Sequence, residues 1–347
     1  MRIAWLSNAP WAPTGYGNQT NVFVPRLKRV GHELAVIAYY GLEGGVLNWN
    51  GIPVYPRAYH LYGQDVAAAH ALHFGAEILI SLMDIWVCQP DALKPVPWCP
   101  WFPVDMEPLP PPVGERARAA FQPMVFSRFG QRMCEQAGIE PIYIPHGVDT
   151  EVFTPLDRRE SREKLGWPQD AFIVGMVAAN KGVPSRKAFA QQIEAFARLR
   201  KKHTDAILYL HTTKGERGEL EGMNLPELCA YLGLEVGKDV LFADQYRLVI
   251  GYTEQEMAAI YSGMDVLMSV SMGEGFGIPI VEAQACGTPV IVGAWTSMEE
   301  LCFAGWMVPR QEADAWWTPL AAYQWVPRIG AIYERLEAAY GAARDEA

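Results

Sequence analysis

Short, wholly apolar runs alternate along this chain with longer segments whose apolar residues recur every three or four positions. Runs of this kind read as strands buried on both faces, and the periodic segments between them as crossover helices of parallel sheets. In the first half, residues 3–6 predict a strand. The loop Pro13-Thr14-Gly15-Tyr16-Gly17 follows, then a helix over 18–30. Gly31 stops that helix, because glycine tolerates the left-handed backbone there. Residues 34–39 and 78–81 predict further strands, with Asp84 just beyond the second, and 124–127 another, followed by a helix to Gly138. The alternation restarts after Ile144-Pro145-His146-Gly147-Val148-Asp149. Strands are predicted over 172–177, 206–211, 240–242, 266–270 and 289–292, and helices over 187–202, 254–262 and 279–286. A last helix over 327–343 carries Ile329, Ile332, Leu336 and Tyr340 at helical spacing, a packing pattern.

One segment departs from the rhythm. Prolines and tryptophans crowd residues 90–112 around Val104-Asp105-Met106-Glu107. Proline removes a backbone donor and fixes φ, so this stretch reads as irregular chain lying over the surface or a cleft.

The length of 347 residues suits two α/β domains. The expected boundaries are 1–147 and 148–326, with a C-terminal helix over 327–347 that packs back on the first domain. Half of the residues are hydrophobic, enough for a sizeable core. A net charge of -10 disfavours general binding to nucleic-acid backbones. Cys88, Cys99, Cys134, Cys229, Cys286 and Cys302 form no C-x-x-C pair, so neither a zinc site nor a redox motif is suggested. Buried reduced thiols, with no signal peptide or membrane span at the N-terminus, predict a cytoplasmic location.

The candidate chemistry centres on Ser271-Met272-Gly273-Glu274-Gly275-Phe276-Gly277-Ile278-Pro279-Ile280-Val281-Glu282-Ala283. Here a buried strand ends, a glycine-rich loop follows, and a helix opens near a proline whose missing N–H costs nothing. Helix N-termini present unpaired N–H groups and partial positive charge, and so bind phosphates. Glu274 in the loop and Glu282 in the first helical turns can accept paired hydrogen bonds from vicinal hydroxyls, as on a sugar and a ribose. An isolated pair of glutamates at this spacing would read as a solvated loop residue and a helix-dipole partner. The loop and helix around them favour the functional reading.

This block, with Cys-Gly-Thr-Pro-Val-Ile after it, resembles the E-x7-E signature of retaining glycosyltransferases of the GT-B fold, family four in particular. Arg29-Val30-Gly31-His32-Glu33-Leu34 resembles the family's end of helix one. Residues 144–149, with Phe153 and Pro155, resemble its interdomain linker. The resemblance implies an α/β protein of two Rossmann-like domains, each with a parallel sheet, and an interdomain cleft, with 1–147 as the acceptor-side domain and 148–326 as the nucleotide-sugar donor domain. It implies transfer of a sugar from a nucleotide-diphosphate donor to an acceptor hydroxyl with retention, by a hexosyltransferase type of enzyme. The donor is a co-substrate and no cofactor is implied. The acceptor, whether glycan, lipid or small molecule, stays open, as does the oligomeric state.

By the same resemblance a basic pair grips the donor diphosphate. Lys187 precedes Ala195-Phe196 by the family's interval, whereas the usual arginine has no clean match. Asn180 or Lys181 occupies its region, the loop is longer, and Arg186 is assigned together with Lys187. Arginine offers a bidentate fork and lysine a point charge. Gly15 and Gly17 match the first-domain loop that faces the phosphates. Glu282 is assigned to the ribose and Glu274 to the donor sugar. Gly275, Phe276, Gly277 and Ile278 lie beside them, and Gln245 and Tyr246 lie against the base. Many relatives carry His-Asp near the reacting centre. Here the pair is Val104-Asp105, so the histidine is missing, and Asp105 is either a positioning residue or a loop cap. His146 and His211 read as structural. No D-x-D occurs, so a metal-bridged diphosphate is not indicated.

Three rivals remain. A nicotinamide oxidoreductase would need the third glycine of its fingerprint and an acid after strand two, and Thr20 and Tyr39-Tyr40-Gly41 stand there. A non-catalytic nucleotide- or glycan-binding module keeps the fold without turnover. An enzyme glycosylating a nucleic-acid base would share the fold, and the acidic balance argues against it.

Overall fold

The computed structural model describes residues 1–182, 184–215 and 222–345. The chain divides into two units. One comprises Met1–Gly147 with Thr318–Ala322. The other comprises Val148–Trp317 and the chain from Tyr323 onward.

The first unit runs β1 (Arg2–Asn8), α1 (Gly15–Arg29), β2 (Glu33–Tyr40), β3 (Leu47–Trp49), β4 (Ile52–Pro56), α2 (Gln64–Phe74) and β5 (Ile78–Leu82). It continues with α3 (Pro90–Leu93), β6 (Trp98–Phe102), α4 (Pro111–Ala119), β7 (Met124–Val125), α5 (Arg128–Gln136) and β8 (Ile142–Tyr143). Its sheet has the order β3-β4-β2-β1-β5-β6-β7-β8, parallel except for the β3–β4 hairpin. β1 and β2 are buried almost throughout, as their unbroken apolar runs require. Where α1 was expected to start at residue 18, it starts at Gly15. Thr14 caps it by accepting the Gly17 N–H at 3.0 Å. Gly15 and Gly17 therefore lie in the first helical turn rather than in a loop. A side chain at Gly17 would collide with the Ala12 carbonyl.

The proline- and tryptophan-rich segment is irregular over 103–110, as expected, but its middle is a strand. Residues 98–102 form β6, fully buried between β5 and β7. Proline's fixed φ suits extended backbone, and each indole has an internal partner. Trp98 Nε1 donates to Ser81 Oγ at 2.8 Å and Trp101 Nε1 to the Ile144 carbonyl at 2.8 Å. His146 packs against Phe126 and Trp101 with ring centroids 4.0 and 4.5 Å away, and burial pushes its pKa down to about 3. It is neutral and part of the packing.

The second unit runs α6 (Arg158–Leu165), β9 (Phe172–Val177), α7 (Phe189–Lys202), β10 (Ala206–His211), α8 (Leu225–Tyr231), β11 (Val240–Phe242), α9 (Gln245–Ile250) and α10 (Glu254–Gly263). Then come β12 (Val266–Ser269), α11 (Ile278–Ala285), β13 (Val290–Gly293), α12 (Ser297–Glu300), β14 (Gly305–Val308), β15 (Ala315–Trp317), β16 (Tyr323–Trp325) and α13 (Ile329–Asp345). Its parallel sheet is ordered β11-β10-β9-β12-β13-β14, so the winding reverses between β9 and β12. β15 and β16 form a separate antiparallel pair.

Helix α13 packs on α7 and β14 of the second unit. Its buried face carries Ala331, Ile332, Leu336 and Ala339. Tyr340 stacks on His203 at 3.8 Å and donates to Asp205 at 3.0 Å, and Glu337 accepts from Lys202 at 2.7 Å. Residues 346 and 347 of the expected helix lie outside the described residues. The stretch grouped with the first unit comes earlier, at Thr318–Ala322, where the Thr318 hydroxyl meets Met106 Sδ at 3.4 Å. The six cysteines are free thiols, five buried and Cys302 half-buried. Among the described residues no helix is long and apolar enough to cross a membrane.

Candidate active site

In an open parallel sheet, adjacent loops diverge where the winding reverses, and the crevice they leave outside the carboxyl ends of the strands receives ligands. In the second unit that point lies between β9 and β12. The loop after β9 ends in Ser185-Arg186-Lys187-Ala188, and the loop after β12 is Val270–Gly277. These two loops carry the cations and Glu274.

Buried and half-buried hydrogen bonds stitch the loops together. Met272 N–H donates to the Arg186 carbonyl at 2.8 Å. Gln192, fully buried on α7, donates to the Lys187 carbonyl at 2.7 Å and accepts the Val270 N–H at 2.9 Å. Arg186 Nη1 donates to the Gly273 carbonyl. Helix α7 was expected to open at Lys187 but begins at Phe189, because Ala188 has φ +51 and breaks the helical turn before it. Arg186 and Lys187 thus stand on a non-helical shoulder.

Both cations converge on Glu274. Lys187 Nζ pairs with its Oε1, and Arg186 Nη1 lies 3.4 Å from its Oε2. Ser271 Oγ donates to Oε1 at 2.6 Å. Glu274 is 6% exposed. Burial alone would push its carboxyl up, but Lys187 and then Arg186 outweigh that and hold it at about 2. The backbone is held as firmly. Glu274 N–H donates to Thr296 Oγ1 at 3.1 Å, and Ser297 Oγ donates to the Glu274 and Phe276 carbonyls at 2.8 and 2.6 Å. Trp295 Nε1 reaches the Ser271 carbonyl at 3.0 Å.

Gly275 and Phe276 are buried in this loop, and Gly277 at φ +105 is the N-cap of α11. Glycine alone adopts that backbone without strain. No side chain caps the helix, and Ile278 and Pro279 form its first positions. Pro279 has no N–H and Ile280 N–H donates to the Gly277 carbonyl at 2.9 Å, so the helix's positive end is presented through Ile278. Glu282 lies farther along α11 and accepts the Tyr261 hydroxyl at 2.7 Å. Burial pushes Glu282 up to about 7, Tyr261 opposes the shift, and Glu254 adds to it.

The remaining sequence candidates separate. Gln245 opens α9 instead of lying in a loop. Its amide is spent on the chain: Nε2 donates to the Thr212 and Ala243 carbonyls, and Oε1 accepts the Lys214 N–H. Tyr246 beside it is 72% exposed. Asn180 is buried and clamps the Thr213 and Met223 carbonyls and the Met223 N–H, so it holds loops rather than replacing an arginine. His211 bonds Tyr209 at 2.9 Å, and burial lowers it to about 4. Gly15, Gly17 and Asp105 belong to the first unit, Asp105 half-buried in the loop after β6. Sequence reading missed Gln192, Ser271, Thr296, Ser297 and Tyr261. Only Ser271 had a local signal, its position three residues ahead of Glu274.

This cation-flanked, helix-tipped carboxylate at the winding reversal falls within residues 171–322, which match the glycosyl transferases group 1 family. Over this stretch the chain is similar to the group 1 glycosyl transferases. Similar curated proteins are the D-inositol 3-phosphate glycosyltransferase of Stackebrandtia nassauensis, 35% identical over 43% of this chain and 32% of that protein, and D-inositol 3-phosphate glycosyltransferase 1 of Catenulispora acidiphila, 33% identical over 49% and 39%. The chain thus matches well under half the length of these relatives. Among solved structures, sucrose-phosphate synthase from Thermosynechococcus elongatus superposes with a TM-score of 0.73 at 17% identity, covering 98% of this chain and 90% of that one. The Anabaena Alr3699/HepE structure, in complex with UDP and glucose, gives 0.65 at 18%, covering 98% and 91%. This likeness establishes the fold over both units as GT-B. The second unit places Arg186, Lys187, Glu274 and the tip of α11 together at its winding reversal.

Proposed function

We propose that the chain transfers a sugar from a nucleoside-diphosphate donor to an acceptor hydroxyl with retention of anomeric configuration. The observation that carries this reading is the convergence of Arg186 and Lys187 on the buried Glu274, beside the uncapped N-terminus of α11. Two cations and a helix tip suit a leaving diphosphate, and a carboxylate held ionised suits the hydroxyls of the sugar being moved.

In this reading the bond between the anomeric carbon and the donor's phosphate oxygen breaks, and electrons pass to the diphosphate. Lys187, Arg186 and the positive tip of α11 at Ile278 hold that charge. The acceptor oxygen attacks from the same face and gives its proton to the departing phosphate oxygen. Glu274 and the Gly275–Ile278 loop orient the sugar, and Glu282 receives the ribose. Tyr246, with its exposed ring, takes the base. Gly15 and Gly17 at the start of α1 add phosphate contacts, and Asp105 positions sugar or acceptor. No metal or other cofactor takes part. The relative crystallised with UDP and glucose supports a UDP-sugar as the first donor to try.

The test is nucleoside-diphosphate release from UDP-, GDP- and ADP-sugars, each with a panel of acceptors, for the wild type and Glu282→Ala. Release from one donor that falls at least a hundredfold in the variant supports transfer. Tight binding of a nucleotide without release would favour a binding module instead.

A further inference from the structure

We propose that Thr296 is a positioning residue for Glu274, held in a strained backbone so that its hydroxyl anchors the carboxylate's main chain for contact with the transferred sugar. The proposal rests on the transferase reading above and adds to it a residue that acts through Glu274 alone.

Thr296 lies between β13 and α12 and is 3% exposed. Its backbone has φ +55 and ψ -146. A side chain at positive φ crowds the neighbouring backbone, so glycine adopts such a conformation readily and a β-branched residue does not. A non-glycine residue persists there only where its surroundings fix it. Here it is fixed from both sides. Trp295, 2% exposed, donates its indole N–H to the Ser271 carbonyl at 3.0 Å, and its ring fills the space that a side chain on Gly293 would take. Ser297, fully buried, donates to the Glu274 and Phe276 carbonyls at 2.8 and 2.6 Å. Relaxation of Thr296 would pull one of these anchors from the carboxylate loop.

The strained position supplies a hydroxyl, which glycine lacks. Thr296 Oγ1 donates to the Trp295 carbonyl at 2.7 Å, so its proton is turned away and a lone pair meets the Glu274 N–H at 3.1 Å. Glu274 is thereby held at its N–H by Thr296 and at its carbonyl by Ser297. Only side-chain torsions remain, and Ser271 Oγ at 2.6 Å and Lys187 fix the carboxylate. Such placement matters, because a shift of about 1 Å can cost roughly a hundredfold in rate. The cations have supports of their own: Gln192 holds the Lys187 carbonyl, and Met272 N–H holds that of Arg186. Loss of the Thr296 hydroxyl should therefore disturb the sugar's placement and spare the grip on the diphosphate.

The experiment compares Thr296→Val, Thr296→Ser and Thr296→Gly with the wild type in the full chain. It measures turnover of the donor that the wild type accepts, calorimetric affinity for UDP, GDP and ADP, amide hydrogen exchange of Glu274, and urea denaturation. Thr296→Val keeps the shape and loses the hydroxyl. Its kcat should fall about thirtyfold, with nucleotide affinity within about twofold of wild type and Glu274 exchange about tenfold faster. Thr296→Ser should restore all three. Thr296→Gly should share the loss of turnover yet unfold at a higher urea concentration than Thr296→Val, because it alone sheds the strain. Unchanged kcat in Thr296→Val, no rescue by serine, a parallel loss of nucleotide affinity, or a lower urea midpoint for glycine than for valine would overturn the proposal. A wild type that turns over no donor, with the exchange and urea results as expected, would strike the transferase reading and leave Thr296 as the anchor of Glu274.

Discussion

Tyr261 donates its hydroxyl to Glu282 Oε2 across 2.7 Å, one buried side chain of α10 setting the charge on a carboxylate of α11. Burial raises Glu282 to about 7, and the Tyr261 bond restrains the rise. If the ionised carboxylate receives the donor ribose, kcat/KM has an acid limb near neutrality. Tyr261→Phe removes the restraint, so the limb moves to higher pH, with little loss on the alkaline side. A pH profile of both proteins checks this, and an unmoved limb refutes the role.

The same group predicts a pH-dependent stability. The folded pKa of Glu282 lies above its unfolded value of about 4.5. Its favourable contribution is therefore full below pH 4.5 and is lost as pH rises through about 7. Glu282→Gln should stabilise the protein at pH 8 by on the order of 1–2 kcal/mol, discounted because the residue keeps some exposure, and change little at pH 4. Thermal melts at the two pH values decide it.

Glu274 behaves oppositely. Its pKa is held at about 2, below the unfolded value of 4.5. The stability it supplies is present above pH 4.5 and fades as pH falls toward 2. At pH 7, Lys187→Met leaves a buried carboxylate short of its main partner and should cost about 2–3 kcal/mol. Glu274→Gln leaves two partly exposed cations, which water can solvate, and should cost less. Urea denaturation that ranks the two variants the other way would contradict this electrostatic account.

Gln192 joins α7 to both site loops, donating to the Lys187 carbonyl and accepting the Val270 N–H. Gln192→Leu removes both bonds and takes from the buried Val270 N–H its side-chain acceptor, at about 1–3 kcal/mol in total. Lys187 loses its support, so nucleoside-diphosphate affinity should fall as well. Unchanged binding by calorimetry, with the stability loss present, would make Gln192 a packing residue only.

Segments with one dominant physical signal were legible from sequence. The apolar runs of β9, β10 and β11 have the limits the pattern predicts, because strands buried on both faces are apolar almost throughout. The Glu274–Glu282 loop was legible because strand end, glycines and helix start are contiguous. β6 was misread since its prolines outweighed its tryptophans locally. Only the partners Ser81 and the Ile144 carbonyl make those indoles core residues.

What the sequence alone determined about this protein is its α/β alternation, the point where it restarts, and the identity of the carboxylate loop, all carried by neighbouring residues. Tertiary structure decided which charges meet. Arg186 and Lys187 are 88 and 87 residues from Glu274 in the chain, and no local pattern encodes a distance of that kind. The reversal of winding between β9 and β12 brings the two loops together, and burial there turns three ordinary ionisable side chains into one charged cluster. The placement of α13 on α7 was decided in the same way, by partners such as His203 and Asp205 that its helical period does not specify.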